Sequence, residues 1–115
     1  MSRVPVALFT LALALAAPSL AVAADGVGTT GTVAELEVNH STAETYLQYH
    51  GRVVITDGTR ATEYRWGGTS CSNKVLPEAI VAMLQRAMAS GASVTPRYQA
   101  GQGNNRCLVG FALTP

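Results

Sequence analysis

The chain has 115 residues, 48% of them hydrophobic and 13% charged, with a formal net charge of +1, two cysteines and one tryptophan. That length suits one domain and is too short for two. The near-neutral balance lacks the basic field expected of a nucleic-acid binder, so nucleic acid is not an expected partner.

Residues 1–24 have the order of a secretory signal peptide. Arg3 supplies the positive start, Val6–Ala17 is almost unbroken apolar sequence, Pro18-Ser19 interrupts it, and Ala21-Val22-Ala23 offers small residues to a peptidase. The apolar run is about 12 residues against roughly 20 for a spanning helix, which disfavours a retained anchor. Neither cysteine lies near the cleavage region, so lipid attachment there is not available, and no second long apolar stretch follows. Cleavage after Ala23 or Ala24 predicts an exported protein, periplasmic or secreted, with no membrane span and about 91 residues. Loss of Arg3 leaves seven basic and seven acidic residues. Asp25, Glu35, Glu37, Glu44 and Asp57 fall early, whereas Arg60, Arg65, Lys74, Arg86, Arg97 and Arg106 fall late.

Export gives the cysteine pair its meaning. In an oxidising compartment Cys71 and Cys107 read as one disulfide. The bridge closes a loop of about 36 residues, worth roughly 4 kcal/mol in the chain-entropy model. A domain this small buries a modest fraction of its surface, so that contribution matters.

After the leader, residues 25–31 are rich in glycine and threonine and read as a flexible start, followed by a single domain over residues 32–115. Thr32–Val38 alternates, with Ala34, Leu36 and Val38 on one side and Glu35 and Glu37 on the other, the period of a half-buried strand. Ser41-x-x-Glu44 has the form of a capping box, so a short helix or turn is expected over 41–45. Asp57-Gly58 between two β-like runs predicts a two-residue turn joining a strand from about Tyr46 to Thr56 with Thr59–Trp66. Counting outward from that turn sets Val53 opposite Thr62, Arg52 opposite Glu63, Gly51 opposite Tyr64 and Tyr49 opposite Trp66. Cross-strand pairs of this kind stabilise a hairpin by roughly 0.2–1 kcal/mol each.

Pro77 and Glu78 suit a helix start, and Ile80, Met83, Leu84, Ala87 and Met88 recur at helical spacing before Ser90-Gly91. Ser93–Ala100 reads as a strand that Pro96 confines to an edge or a bulge. After a turn at 101–105, Arg106–Leu113 forms the last strand, with Cys107, Val109, Phe111 and Leu113 toward the core. The expected fold is therefore α+β: an antiparallel sheet of about five strands with one main helix on one face, in the order β-β-β-α-β-β, stapled by one disulfide.

Few residues carry a chemical signal. His40 and His50 lack the spacing of a zinc site, and no cofactor motif occurs. If both cysteines are bridged, no thiolate nucleophile remains. The turn Gly101-Gln102-Gly103-Asn104-Asn105, flanked by Arg97 and Arg106, has the form of an anion-binding loop, although a hairpin turn explains the same residues. Tyr49, Tyr64, Trp66 and Tyr98, with Arg97 and Arg106, form the candidate interaction surface, since Tyr, Trp and Arg are enriched where proteins bind one another. The competing reading places Tyr49, Tyr64 and Trp66 on one face as core beneath the helix, and it is the preferred one.

Three stretches carry a resemblance: Tyr64-Arg65-Trp66-Gly67-Gly68-Thr69-Ser70-Cys71, Arg97-Tyr98-Gln99-Ala100-Gly101-Gln102-Gly103, and Arg106-Cys107-Leu108-Val109-Gly110-Phe111. Together they resemble an uncharacterised group of small exported bacterial proteins. The resemblance implies the same small disulfide-bonded domain and supplies no activity and no functional residues. The expected function is a non-enzymatic binding protein whose partner is a protein or an envelope component. The alternatives are a small secreted hydrolase using Glu63, His50 or a loop serine, and a structural or antigenic exported domain without a specific ligand.

Overall fold

The computed structural model describes residues 25–115, so the leader assigned to residues 1–24 lies outside the described residues. Seven elements follow in chain order: β1 Gly26–Val27, β2 Thr32–Val38, β3 Gly51–Thr56, β4 Ala61–Trp66, α1 Glu78–Ser90, β5 Ser93–Ala100 and β6 Arg106–Thr114. A single 3-10 turn, Glu44–Leu47, lies between β2 and β3. The fold is α+β with one disulfide, Cys71–Cys107, as expected.

The sheet differs from the expectation in size and direction. It has six strands in the order β1-β5-β6-β4-β3-β2. Two antiparallel units, β2-β3-β4 and β1-β5-β6, meet at a parallel seam between β4 and β6, where Arg65 is paired with Cys107. The sixth strand comes from residues 25–31, read above as a flexible start. Gly26 and Val27 pair with Tyr98 and Arg97, and the Gly28 N–H donates to the Pro96 carbonyl at 2.8 Å. Pro96 has no N–H of its own to place in the ladder, and its outer neighbour here is only a two-residue strand.

The β3–β4 hairpin slides by two residues from the predicted register. Thr56 pairs with Ala61, Val53 with Tyr64, Arg52 with Arg65 and Gly51 with Trp66. The cause is Asp57. Its Oδ1 accepts from the Thr59 and Arg60 N–H groups at 2.8 Å each, and its own N–H donates to the Arg60 carbonyl at 3.2 Å. The carboxylate acts as a local cap and holds open a four-residue loop in place of a two-residue turn. A slip of two preserves every side chain's face. Gly51 still makes room for a ring, but the ring is Trp66: a Cβ at position 51 would collide with the indole and sit 2.8 Å from the Glu37 carbonyl oxygen. Strand β3 also starts at Gly51, because the chain before it folds into the 3-10 turn and not into strand.

Two β-bulges reset the faces. In β2 the register shifts between Val33 and Glu35, so Val33 and Leu36 both pack on the helix side while Ala34 is exposed. In β6 the partner of Arg97 is Gly110 and that of Tyr98 is Leu108, which leaves Val109 as the extra residue. Leu108, Phe111 and Leu113 therefore join the core beneath α1, and Cys107 does not, contrary to the simple alternation predicted for this strand. Both sulfurs remain buried, beside Ser70 on the opposite side of the sheet.

Helix α1 begins after Pro77 and ends at Gly91, whose φ of 70° is the left-handed conformation that glycine adopts without strain. Leu84 and Ala87 are its buried residues, with Val81 packed partly against them. Met83 and Met88, expected in the apolar stripe, are 39% and 42% exposed. The helix sits over the sheet on Val81, Leu84 and Ala87, a narrower stripe than the sequence period suggests.

Candidate functional site

The aromatic set named from sequence is divided by the sheet. Tyr64 and Trp66 are each 2% exposed and belong to the core beneath α1. Tyr49 is buried too, but on the other face. Its hydroxyl donates to Glu37 Oε2 at 3.0 Å, and the Arg65 guanidinium lies 4.3 Å from its ring centroid. None of the three offers an exposed ring. Tyr98 is half-buried, with its centroid 5.7 Å from that of Tyr64 and the Arg106 guanidinium 5.9 Å above it. Arg97, one residue before Tyr98 on β5, points to the opposite face, so Arg97 and Arg106 do not converge on the 101–105 turn. In that turn the Gly101 N–H is taken by the Asn105 carbonyl and the Gln102 N–H by the Ser70 carbonyl.

The open face of the sheet carries a charge network centred on Arg52. Its Nε donates to Glu37 at 2.8 Å, Nη1 to Glu63 at 3.1 Å, and Nη2 to Glu35. Arg65 donates from Nε to the second oxygen of Glu63 at 3.2 Å and from Nη1 to Ser70 Oγ at 3.3 Å. Glu63 thus bridges two arginines that stand directly opposite each other on β3 and β4. The hydrogen bond from Arg52 holds the Glu37 carboxyl below the usual carboxylate range, with Tyr49 adding in the same direction. Burial pushes the Tyr49 phenol up, and the Glu37 carboxylate beside it adds to the rise.

The groups that a hydrolase would need are dispersed. Glu63 is engaged by Arg52 and Arg65, and Ser70 by Arg65. His50 is stacked flat on Tyr46, with centroids 4.0 Å apart and an interplanar angle of 9°. Among the described residues no group of three or more His, Cys, Asp or Glu is placed to hold a metal ion.

A concave surface lies elsewhere, where Trp66, His40 and His50 meet residues that carry no chemical signal in the sequence. A groove of about 590 Å³ is bounded by Val38, His40, Tyr46, His50, Val75 and Leu76, with the buried Trp66, the half-buried Val81 and the exposed Glu78 also in its lining. Next to it, and sharing Val38, Glu78 and Val81, a second hollow of about 430 Å³ runs between β2 and α1 past Leu36, Ala82 and Gln85. Val38 and Val75 are each 57% exposed here. Val38 closes an alternating strand in the sequence, so its side was legible. That this side borders an empty trough follows only from β2 being the last strand. Comparison with protein-family models, curated proteins and solved structures finds no match for this chain.

Proposed function

We propose that the chain is a small exported, non-enzymatic binding domain whose partner is a protein or envelope component held in the trough between β2, α1 and the 39–50 segment. The trough carries the reading. Each of its two hollows falls in the range of ligand-binding clefts, and aliphatic and aromatic side chains line it together with polar groups such as Asn39, His40, His50 and Glu78. The Arg52 network of the open face supports the same view, because its arginines and carboxylates engage one another.

Export rests on residues 1–24. The protein recovered from the periplasm or medium is expected to begin at Ala24 or Asp25 on N-terminal sequencing. For binding, the immobilised mature domain is incubated with envelope and culture fractions. The expected result is repeated retention of one component, lost when Val75 is replaced by Glu. Consistent failure to retain any component would overturn the reading.

A further inference from the structure

We infer that the partner segment is an extended peptide that adds as a seventh strand along the outer edge of β2, with apolar and basic residues in alternation. This deepens the binding reading above and rests on it.

The backbone supplies the first observation. Strand β2 ends the sheet, and beyond the two-way bridge between Gly31, just before it, and Val94 of β5, no described strand pairs with its outer side. The Asn39 N–H donates inward to the His50 carbonyl at 2.8 Å, and Glu37 and Glu35 lie opposite Arg52 and Val54 in the same register. Inward and outward bonding alternate along an antiparallel strand, so the peptide groups of Leu36 and Val38 face outward. The bulge at Ala34 blunts the first half of the edge and Glu35 and Glu37 charge its open-face side, but the stretch from Glu35 to Val38 is regular and holds neither proline nor lysine.

The second observation is what lies beside those groups. Leu36 and Val38 also turn their side chains into the trough against Val81, Ala82 and Gln85 of α1. A strand laid on β2 would drop every second side chain into that trough, gaining apolar contact there and main-chain hydrogen bonds at the edge. The intervening side chains would emerge on the open face beside Glu35 and Glu37. The charge along this edge is acidic on balance, since Glu35, Glu37 and Glu63 outnumber Arg52 and Arg65, with which they pair, and the Glu35 side chain is 54% exposed. Lysine or arginine at those positions would be favoured. A second copy of the chain is disfavoured for the same reason, since antiparallel pairing of β2 with itself would bring Glu35 and Glu37 against their own equivalents.

The probe is a terminally blocked peptide of about six residues, the usual strand length, alternating valine and lysine, titrated into the mature protein and followed by Trp66 fluorescence and calorimetry. Saturable binding is expected, weakened at least about tenfold for the valine–glutamate peptide and for a valine–lysine peptide N-methylated at alternate residues, which cannot donate to the edge. V38R and A82R, both at the trough surface and checked for folding by circular dichroism, are expected to weaken binding by a similar factor. E35K is expected to bring the lysine and glutamate peptides close to equal affinity. Absence of saturable binding overturns the inference, as does equal binding of the N-methylated peptide. If the envelope component retained by the wild-type domain is retained equally by V38R and A82R, strand addition fails while the broader binding reading stands. Dimerisation through β2, seen as concentration-dependent mass abolished by V38R, would replace the peptide with a second copy and also overturn it.

Discussion

At the scale of single residues, Arg52 organises the open face. Three carboxylates from two strands, Glu35 and Glu37 of β2 and Glu63 of β4, meet its guanidinium, and a planar fork with several donors can serve all three where a lysine ammonium could not. The arrangement makes stability depend on pH. The Glu37 carboxyl titrates lower in the folded chain than in the unfolded one. Its contribution is therefore present above the unfolded value, near pH 4, and is lost as pH falls through the folded value. Asp57 is depressed as well, by the backbone N–H groups of Arg60 and Thr59, and shares that acid limb. Urea midpoints of wild type and E37Q are expected to differ at pH 7 and to converge as the pH drops below about 4; a constant difference across that range would remove Glu37 from the account. Tyr49 acts at the other end, since a phenol whose folded value is raised loses its contribution as pH rises through that value.

At the scale of elements, the helix shows how periodicity overstates a buried face. Ile80, Met83, Leu84, Ala87 and Met88 share a period, yet only Leu84 and Ala87 are fully covered. A helix lying on a sheet buries a stripe about as wide as the contact, and residues on its flanks remain in water. Leu84→Ala is expected to cost about 2–5 kcal/mol, as cavity-forming substitutions do, and Met88→Gln less than about 0.5 kcal/mol, both read from chemical denaturation. Equal costs would mean that the methionine side is covered in solution. The β3–β4 hairpin shows a different limit. Asp-Gly marks the turn correctly, but the aspartate side chain selects the loop length, and the register moves with it.

At the scale of the whole molecule, the sheet is two antiparallel units joined at the β4–β6 seam. The bridge between Cys71, just past β4, and Cys107, paired with Arg65 across the seam, fastens the two units beside the single backbone pair of that seam. Its loop of 36 residues corresponds to roughly 4 kcal/mol in the chain-entropy model, a large share of the stability of a domain this size. The Cys71→Ala/Cys107→Ala variant is expected to lose about that much in denaturant melts. Hydrogen exchange should accelerate first in β4 and β6; uniform acceleration through the sheet would argue against a seam role.

Local rules acting on neighbouring residues were enough to establish the α+β class, the helix and its glycine stop, the hairpin and the burial of Tyr64 and Trp66, while the disulfide followed from there being two cysteines in a chain expected to be exported. Period, capping and turn chemistry operate over a few residues and can be read from them. The sixth strand, the parallel seam, the two bulges and the removal of Tyr49 to the opposite face depended on tertiary pairing. Gly26 and Val27 have no strand pattern of their own and are ordered by the free edge of β5. Val109 breaks alternation because Leu108 and Phe111 must both reach the helix side. The trough belongs to the same class. It exists because β2 ends the sheet and α1 lies beside it, a relation between segments about 40 residues apart in the chain that no local pattern encodes.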